Sequence, residues 1–282
     1  MTALHPQGFV PASRPPIHPP SMVGASTTIV WRNLLHIRRM PEMLLDVTVQ
    51  SVMFVLLFAY VFGGSIEVPG GGDYKEFLLP GIMAQTMVFS SAVVAMGLTN
   101  DPQKGIVDRF KSLPIARSSV LVGRSISSLI HSSIGIAVMG LTGLLIGWRI
   151  RDGFVNGVVP FLLLLLFGFA MVWLGIWVGS LMRSVEAVQG FMFTIMFPLT
   201  FVANTFAPTE GMPSWLRFIA EWNPVSSLTQ ACRQLWGNGP AAPSDGAWPL
   251  QHPVLMTVVW SIVLTAIFAP LALAAFRRRS RD

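Results

Sequence analysis

The sequence predicts an all-α integral membrane protein with six transmembrane helices, an amphipathic N-terminal interfacial helix, a short cytoplasmic helix between spans 2 and 3, and a re-entrant outer segment between spans 5 and 6. Three observations carry that prediction. With 52% hydrophobic residues, 11% charged residues and a mean hydropathy of +0.61, the chain is too apolar for a soluble domain, in which about a quarter of residues are charged. Six stretches approach the ~20 apolar residues that cross a hydrocarbon core. The basic residues between them fall mainly on one side.

The chain begins with a Pro-rich stretch, residues 1–25, which carries Pro6, Pro11, Pro15, Pro16, Pro19 and Pro20 and no apolar run, so it reads as a disordered cytoplasmic tail. No apolar core comes closely enough behind it for a signal peptide. Residues 26–282 form the transmembrane domain. Between Ser26 and Met40, Ile29, Val30, Leu34 and Ile37 recur at helical spacing beside Arg32, Arg38 and Arg39, the pattern of an interfacial helix that Pro41 ends. Arginines beside a span follow from topology and need no nucleic acid.

The spans are expected near Val47–Ile66, Phe77–Thr99, Ser118–Trp148, Val158–Leu181, Val185–Thr205 and Pro253–Phe276. An even number puts both termini on one side. Fourteen basic residues fall on that side and only Lys75, Arg149, Arg151, Arg217 and Arg233 on the other, so the positive-inside rule makes it the cytoplasm. Arg149 and Arg151 run against the rule. On the third span His131 sits among Ser125, Ser127, Ser128, Ser132 and Ser133; it is a possible intramembrane polar site, with helix packing through a hydrogen bond as the other reading. Gly143 and Gly147, and Gly175 and Gly179, make Gly-xxx-Gly steps that suit close helix contact.

Between spans 2 and 3, Asn100–Arg124 is the longest polar interruption on the basic side. Asn100 or Asp101 suits a helix N-cap, Pro102 the first helical position and Pro114 the stop. Ile106, Val107, Phe110 and Leu113 share one face, with Lys104, Asp108 and Lys111 on another. A stripe of that kind facing away from a membrane bundle asks for a partner; a solvated basic loop that only sets topology is the plainer reading. After span 5, Pro198, Pro208, Pro213 and Pro224 cut the apolar stretch into pieces too short to cross, so two short helices dipping in from outside are expected. Trp215, Trp222 and Trp236 also suit an interfacial aromatic belt. Gly237–Pro249 reads as a loop without secondary structure.

The run KGIVDRFKSLPIARSSVLVGR resembles the cytoplasmic loop of ABC type-2 exporter permeases, particularly their daunorubicin-resistance branch. The resemblance implies that this loop is a coupling helix seated on an ATPase subunit: Lys104 and Gly105 in it, Asp108, Arg109 and Phe110 as groove contacts, Leu113 and Pro114 at its end, and Arg117 at the return to the membrane. The outer segment is similar too, with Met212, Pro213, Trp215, Leu216, Asn223 and Pro224 at the positions of the family's re-entrant hairpin. The resemblance further implies a permease subunit exporting a hydrophobic or amphipathic, anthracycline-like drug by ATP-driven alternating access. Two copies of an ABC ATPase would carry ATP and Mg, a second permease would complete a homodimer or heterodimer, and the location would be a bacterial cell membrane.

No Gly-xxxx-Gly-Lys-Ser/Thr phosphate loop occurs, so the chain is no ATPase by that route. The single Cys232 excludes a disulfide within the chain, and the five scattered histidines show no metal-ligand spacing, so no active site, cofactor or metal is expected. A lipid or glycolipid exporter shares the architecture, and a non-transporting membrane scaffold is the reading from another class.

Overall fold

The computed structural model describes residues 41–61, 63, 68, 73–100, 117–239 and 246–279, with the backbone alone for 41–48, 50–51, 117–120 and 279. The helices are α1 (Pro41–Val61), α2 (Tyr74–Asn100), α3 (Arg117–Ile146), α4 (Gly153–Leu181), α5 (Val185–Phe201), α6 (Ser214–Glu221), α7 (Pro224–Trp236), α8 (Trp248–Gln251) and α9 (Pro253–Arg279), and no strand occurs among the described residues. Four, α2, α3, α4 and α9, are long and apolar enough to cross a membrane. The other two expected spans fall on α1 and the 17-residue α5. The Pro-rich tail, the helix expected over Ser26–Met40 and residues 101–116, the expected coupling segment, lie outside the described residues.

The bundle is built around α2 and α4, which pack against each other along their length. Glycine makes that contact possible. A Cβ on Gly179 would stand 2.6 Å from the Ala95 carbonyl oxygen, and one on Gly175 would collide with the Ser91 carbonyl. The Thr99 hydroxyl then reaches across to the Gly179 carbonyl at 3.1 Å. Close backbone approach of this kind is what small-xxx-small steps supply in membranes, where lipid removes the hydrophobic drive to associate. The Gly143–Gly147 step works differently. Gly143 packs under Leu79 and Trp148, whereas Gly147, at φ +109°, ends α3. The Trp148 amide closes back on the Gly143 carbonyl at 2.9 Å there, a turn that only glycine makes cheaply.

Two boundaries and the burial of one short helix depart from the sequence expectation. The fifth expected span reaches Thr205, but α5 stops at Phe201: Ala203, Asn204 and Thr205 leave the helix as buried irregular chain. Their backbone finds other partners, the Asn204 amide donating to Ser226 Oγ at 3.0 Å. Two short helices do come next, but only α7 lies buried in the bundle; α6 exposes Trp215 (66%) and Phe218 (63%). The expected loop Gly237–Pro249 ends in one helical turn, α8. It starts where the Glu221 carboxylate accepts the Ala247 amide at 2.8 Å, has Pro249 in its first turn and buries Leu250.

Candidate functional site

The structure offers two connected features, a buried hairpin built on α7 and a lane of phenyl rings beside it. α7 is 13 residues long, about 20 Å of helix and too short to cross ~30 Å of hydrocarbon. Asn223 starts it: its Oδ1 accepts the Val225 amide at 2.9 Å, and Pro224 occupies the first turn. The same side chain donates Nδ2 to the Leu199 carbonyl at 2.7 Å, tying the end of α5 to the beginning of α7. At the other end Gly237 (φ +69°) closes the helix and the Asn238 amide donates to the Arg233 carbonyl at 2.8 Å. The irregular chain at 203–205 is buried against protein, the condition under which non-helical backbone is tolerated inside a bilayer. Tyr74 donates its hydroxyl to the Phe206 carbonyl at 3.1 Å.

Arg233 stands at the centre of this hairpin and is 1% exposed. Its Nε donates to the Phe77 carbonyl at 2.8 Å and an Nη to the Thr205 carbonyl at 3.1 Å, joining α7, the start of α2 and the irregular chain. The guanidinium also lies over the Phe77 ring, 3.4 Å from its centroid. No carboxylate pairs with Arg233 among the described residues, so carbonyl dipoles and the ring face hold the charge.

The lane begins on α1 and runs through rings in mutual contact. Phe54 meets Phe58 at 5.2 Å between centroids, Phe58 meets Phe206 at 4.9 Å, and Phe206 meets Phe201 at 4.9 Å. On α5 Phe201, Phe197 and Phe193 continue it at 5.0 and 5.7 Å, and Phe89 of α2 closes the lane 5.9 Å from both Phe193 and Phe197. α5 buries only Val188, Met192, Met196 and Thr200, one stripe four residues apart, and leaves Phe197 (46%) and Phe201 (45%) open. Rings in a row stack or meet edge-on, each such contact worth ~0.5–1.5 kcal/mol beyond burial.

The hairpin residues singled out in the sequence separate here. Asn223 and Pro224 form the α7 start; Pro213 precedes α6, where its carbonyl accepts the Leu216 amide at 2.9 Å, and Met212 stands beside it while Trp215 faces outward. Lys104, Gly105, Asp108, Arg109, Phe110, Leu113 and Pro114 lie outside the described residues, and of Arg117 only the backbone, the first residue of α3, is described. His131 is half-buried on α3. Ser125, Ser127 and Ser133 donate their hydroxyls to carbonyls of their own helix at 2.7 to 2.9 Å. Sequence reasoning missed the ring lane, although Phe193, Phe197 and Phe201 at four-residue spacing signal its α5 portion.

Arg149 and Arg151, the exceptions to the charge rule, have local work. Arg149 donates to the Trp148 carbonyl at 2.8 Å and to the Leu144 carbonyl, capping α3. Arg151 pairs with Glu76 at 2.6 Å, and its amide donates to the Trp236 carbonyl at 3.0 Å. No three metal-ligating side chains gather among the described residues.

Residues 25–235, most of the chain, match the family described as ABC-2 type transporter. The chain belongs to that family. Within it, the chain is similar to the daunorubicin resistance ABC transporter permease protein DrrB1 of Streptomyces coeruleorubidus, at 31% identity over 92% of this chain and 88% of the relative. It is 23% identical to the probable doxorubicin resistance ABC transporter permease protein DrrC of Mycobacterium tuberculosis, over 82% of this chain and 80% of that protein. The probable multidrug ABC transporter permease YbhR of Escherichia coli K12 is also 23% identical, over 73% of this chain and 54% of its own. The family match covers α1 to α7 and so includes both the ring lane and the buried hairpin of this ABC-2 permease.

Proposed function

We propose that this chain is the permease subunit of an ATP-driven exporter for planar, hydrophobic or amphipathic aromatic molecules of the anthracycline kind. The observation that carries the substrate class is the lane of seven phenyl rings, open along α5. Relatives named for daunorubicin and doxorubicin resistance support the same class. In this reading α1 and α5 are the first and fifth of six crossings, both termini are cytoplasmic, and α6 and α7 form a re-entrant hairpin on the exit side. The uncovered face of α5 supports a second permease copy, with the lane at the seam between the two. Two ATPase subunits would bind ATP and Mg and push on Lys104–Arg117 through Asp108, Arg109 and Phe110, rocking the halves so that the seam opens outward.

The test is co-expression with an ABC ATPase and measurement of ATP-dependent daunorubicin uptake into inverted membrane vesicles. Wild type should transport and carry the ATPase through purification; Phe110→Ala should lose the ATPase or its coupling while remaining in the membrane. Phe197→Ala should keep the ATPase and lose drug transport. A chain that folds and never retains an ATPase is a scaffold; one that retains an ATPase stimulated by lipid and not by drug is a lipid exporter.

A further inference from the structure

Residues of α3, α4 and the turn between them border a cleft of about 450 Å³, within the range of small-molecule sites. Ala137, Gly140, Leu144, Trp148, Ile150 and Phe161 line it; its one hydroxyl, on Ser133, already donates to the Ile130 carbonyl at 2.7 Å, and the Trp148 indole nitrogen is buried. Packing does not demand the small residues: a Cβ on Gly140 would have its nearest neighbour, Met83 Cε, at 3.6 Å, ordinary contact distance. From Ser133 to the end of α3 at Ile146 the helix rises ~20 Å, more than the ~15 Å that one leaflet contributes to the hydrocarbon core. The cleft is therefore long, narrow and apolar. It merges with exposed Leu141 (63%) and Leu145 (88%), a surface suited to hydrocarbon.

At its Trp148 and Ile150 end stands Arg149. This side chain is exposed and fixed by one Nη on the Trp148 and Leu144 carbonyls. No carboxylate pairs with it among the described residues, Glu76 being taken by Arg151. A fixed cation at the mouth of a hydrocarbon-shaped cleft matches one chemistry, a phosphate joined to an acyl chain, and a guanidinium suits phosphate by geometry as well as charge. We propose that the α3–α4 cleft binds an anionic phospholipid, its acyl chain along Gly140 and its phosphate on Arg149. Aromatic drug belongs to the lane on α1, α2 and α5, which shares no residue with this cleft.

Native mass spectrometry of the full chain in mild detergent, titrated with phosphatidylglycerol or phosphatidylcholine, tests the assignment. Wild type should retain phosphatidylglycerol about fivefold more than phosphatidylcholine, the preference expected of one interfacial arginine. Arg149→Gln should bring the two lipids to parity. Ala137→Phe, at an exposed position, should plug the cleft and reduce retention of both several-fold. Protection of the buried Cys232 from maleimide reports that each variant is folded, and Ala137→Leu replaces Phe if protection is lost. Equal retention of both lipids by wild type overturns the proposal, as does unchanged retention in the plugged variant. Loss of a dimer with lipid retention intact also overturns it, by assigning the cleft to a second copy.

Discussion

Arg233 holds Phe77 twice, taking its carbonyl at 2.8 Å and covering its ring at 3.4 Å from the centroid. A third attachment, to the Thr205 carbonyl, makes this side chain the joint between the start of α2, the irregular chain after α5 and the re-entrant candidate α7. Arg233→Met should leave two buried carbonyls without those donors, each worth ~1–3 kcal/mol, and should lower the unfolding midpoint in detergent. Arg233→Lys should rescue only part, because an ammonium lacks the planar fork that spans both carbonyls. An unchanged midpoint in the Met variant would mean that desolvating the guanidinium cancels all three contacts.

Asn223 separates two roles within one side chain. Asn223→Asp keeps the oxygen that caps the Val225 amide but loses the donor to Leu199, whereas Asn223→Ala loses both. The Ala variant should be destabilised by ~1 kcal/mol more than a cap alone, about 2 in total, with Asp between it and wild type. Thermal unfolding of the three proteins gives the order directly. Equal loss in Asp and Ala would put the whole effect on the α5 tether.

Thr205 should tolerate more than its position suggests. Its carbonyl carries the Arg233 bond, while its hydroxyl is buried without a partner among the described residues. Thr205→Val keeps shape and backbone and removes an unsatisfied oxygen, so it should be neutral or stabilising by up to ~1 kcal/mol. A drop in the unfolding midpoint would reveal a partner for that hydroxyl. Thr99→Val should behave oppositely, since that hydroxyl bridges to the Gly179 carbonyl of α4.

Gly179→Leu should break the contact between α2 and α4. Its side chain would enter space held by the Ala95 backbone, which cannot move aside as a side chain can. Overpacking of this kind costs ~1–3 kcal/mol, and here should appear as loss of folded protein on extraction, read by labelling of Cys232. Gly190→Leu, on the open face of α5 with nothing within 4 Å among the described residues, is the matched control and should extract normally.

These residues also show what the sequence disclosed. Gly175 and Gly179 announce a close helix contact by spacing, and Asn223-Pro224 a helix start by capping chemistry, because both signals are local. Arg233 counts in the sequence as one outer charge among five, since its partners, Phe77 and Thr205, lie 156 and 28 positions away and offer carbonyls that no side-chain pattern encodes. Arg151 looks like an exception to the charge rule for the same reason, its partner Glu76 being 75 positions distant. Spacing alone groups Gly147 with Gly143 and does not distinguish a packing glycine from a terminating one. The ring lane is half legible: three rings share a face of α5, but four come from elsewhere.

The single buried stripe of α5 has a consequence for ancestry. Val188, Met192, Met196 and Thr200 keep the helix in its own subunit, and most other positions on it are free of obligations to the core. Substitutions there can change what a neighbour meets while leaving the fold that presents them intact. Duplicated copies of such a chain could drift apart in the company they keep without first having to drift in shape.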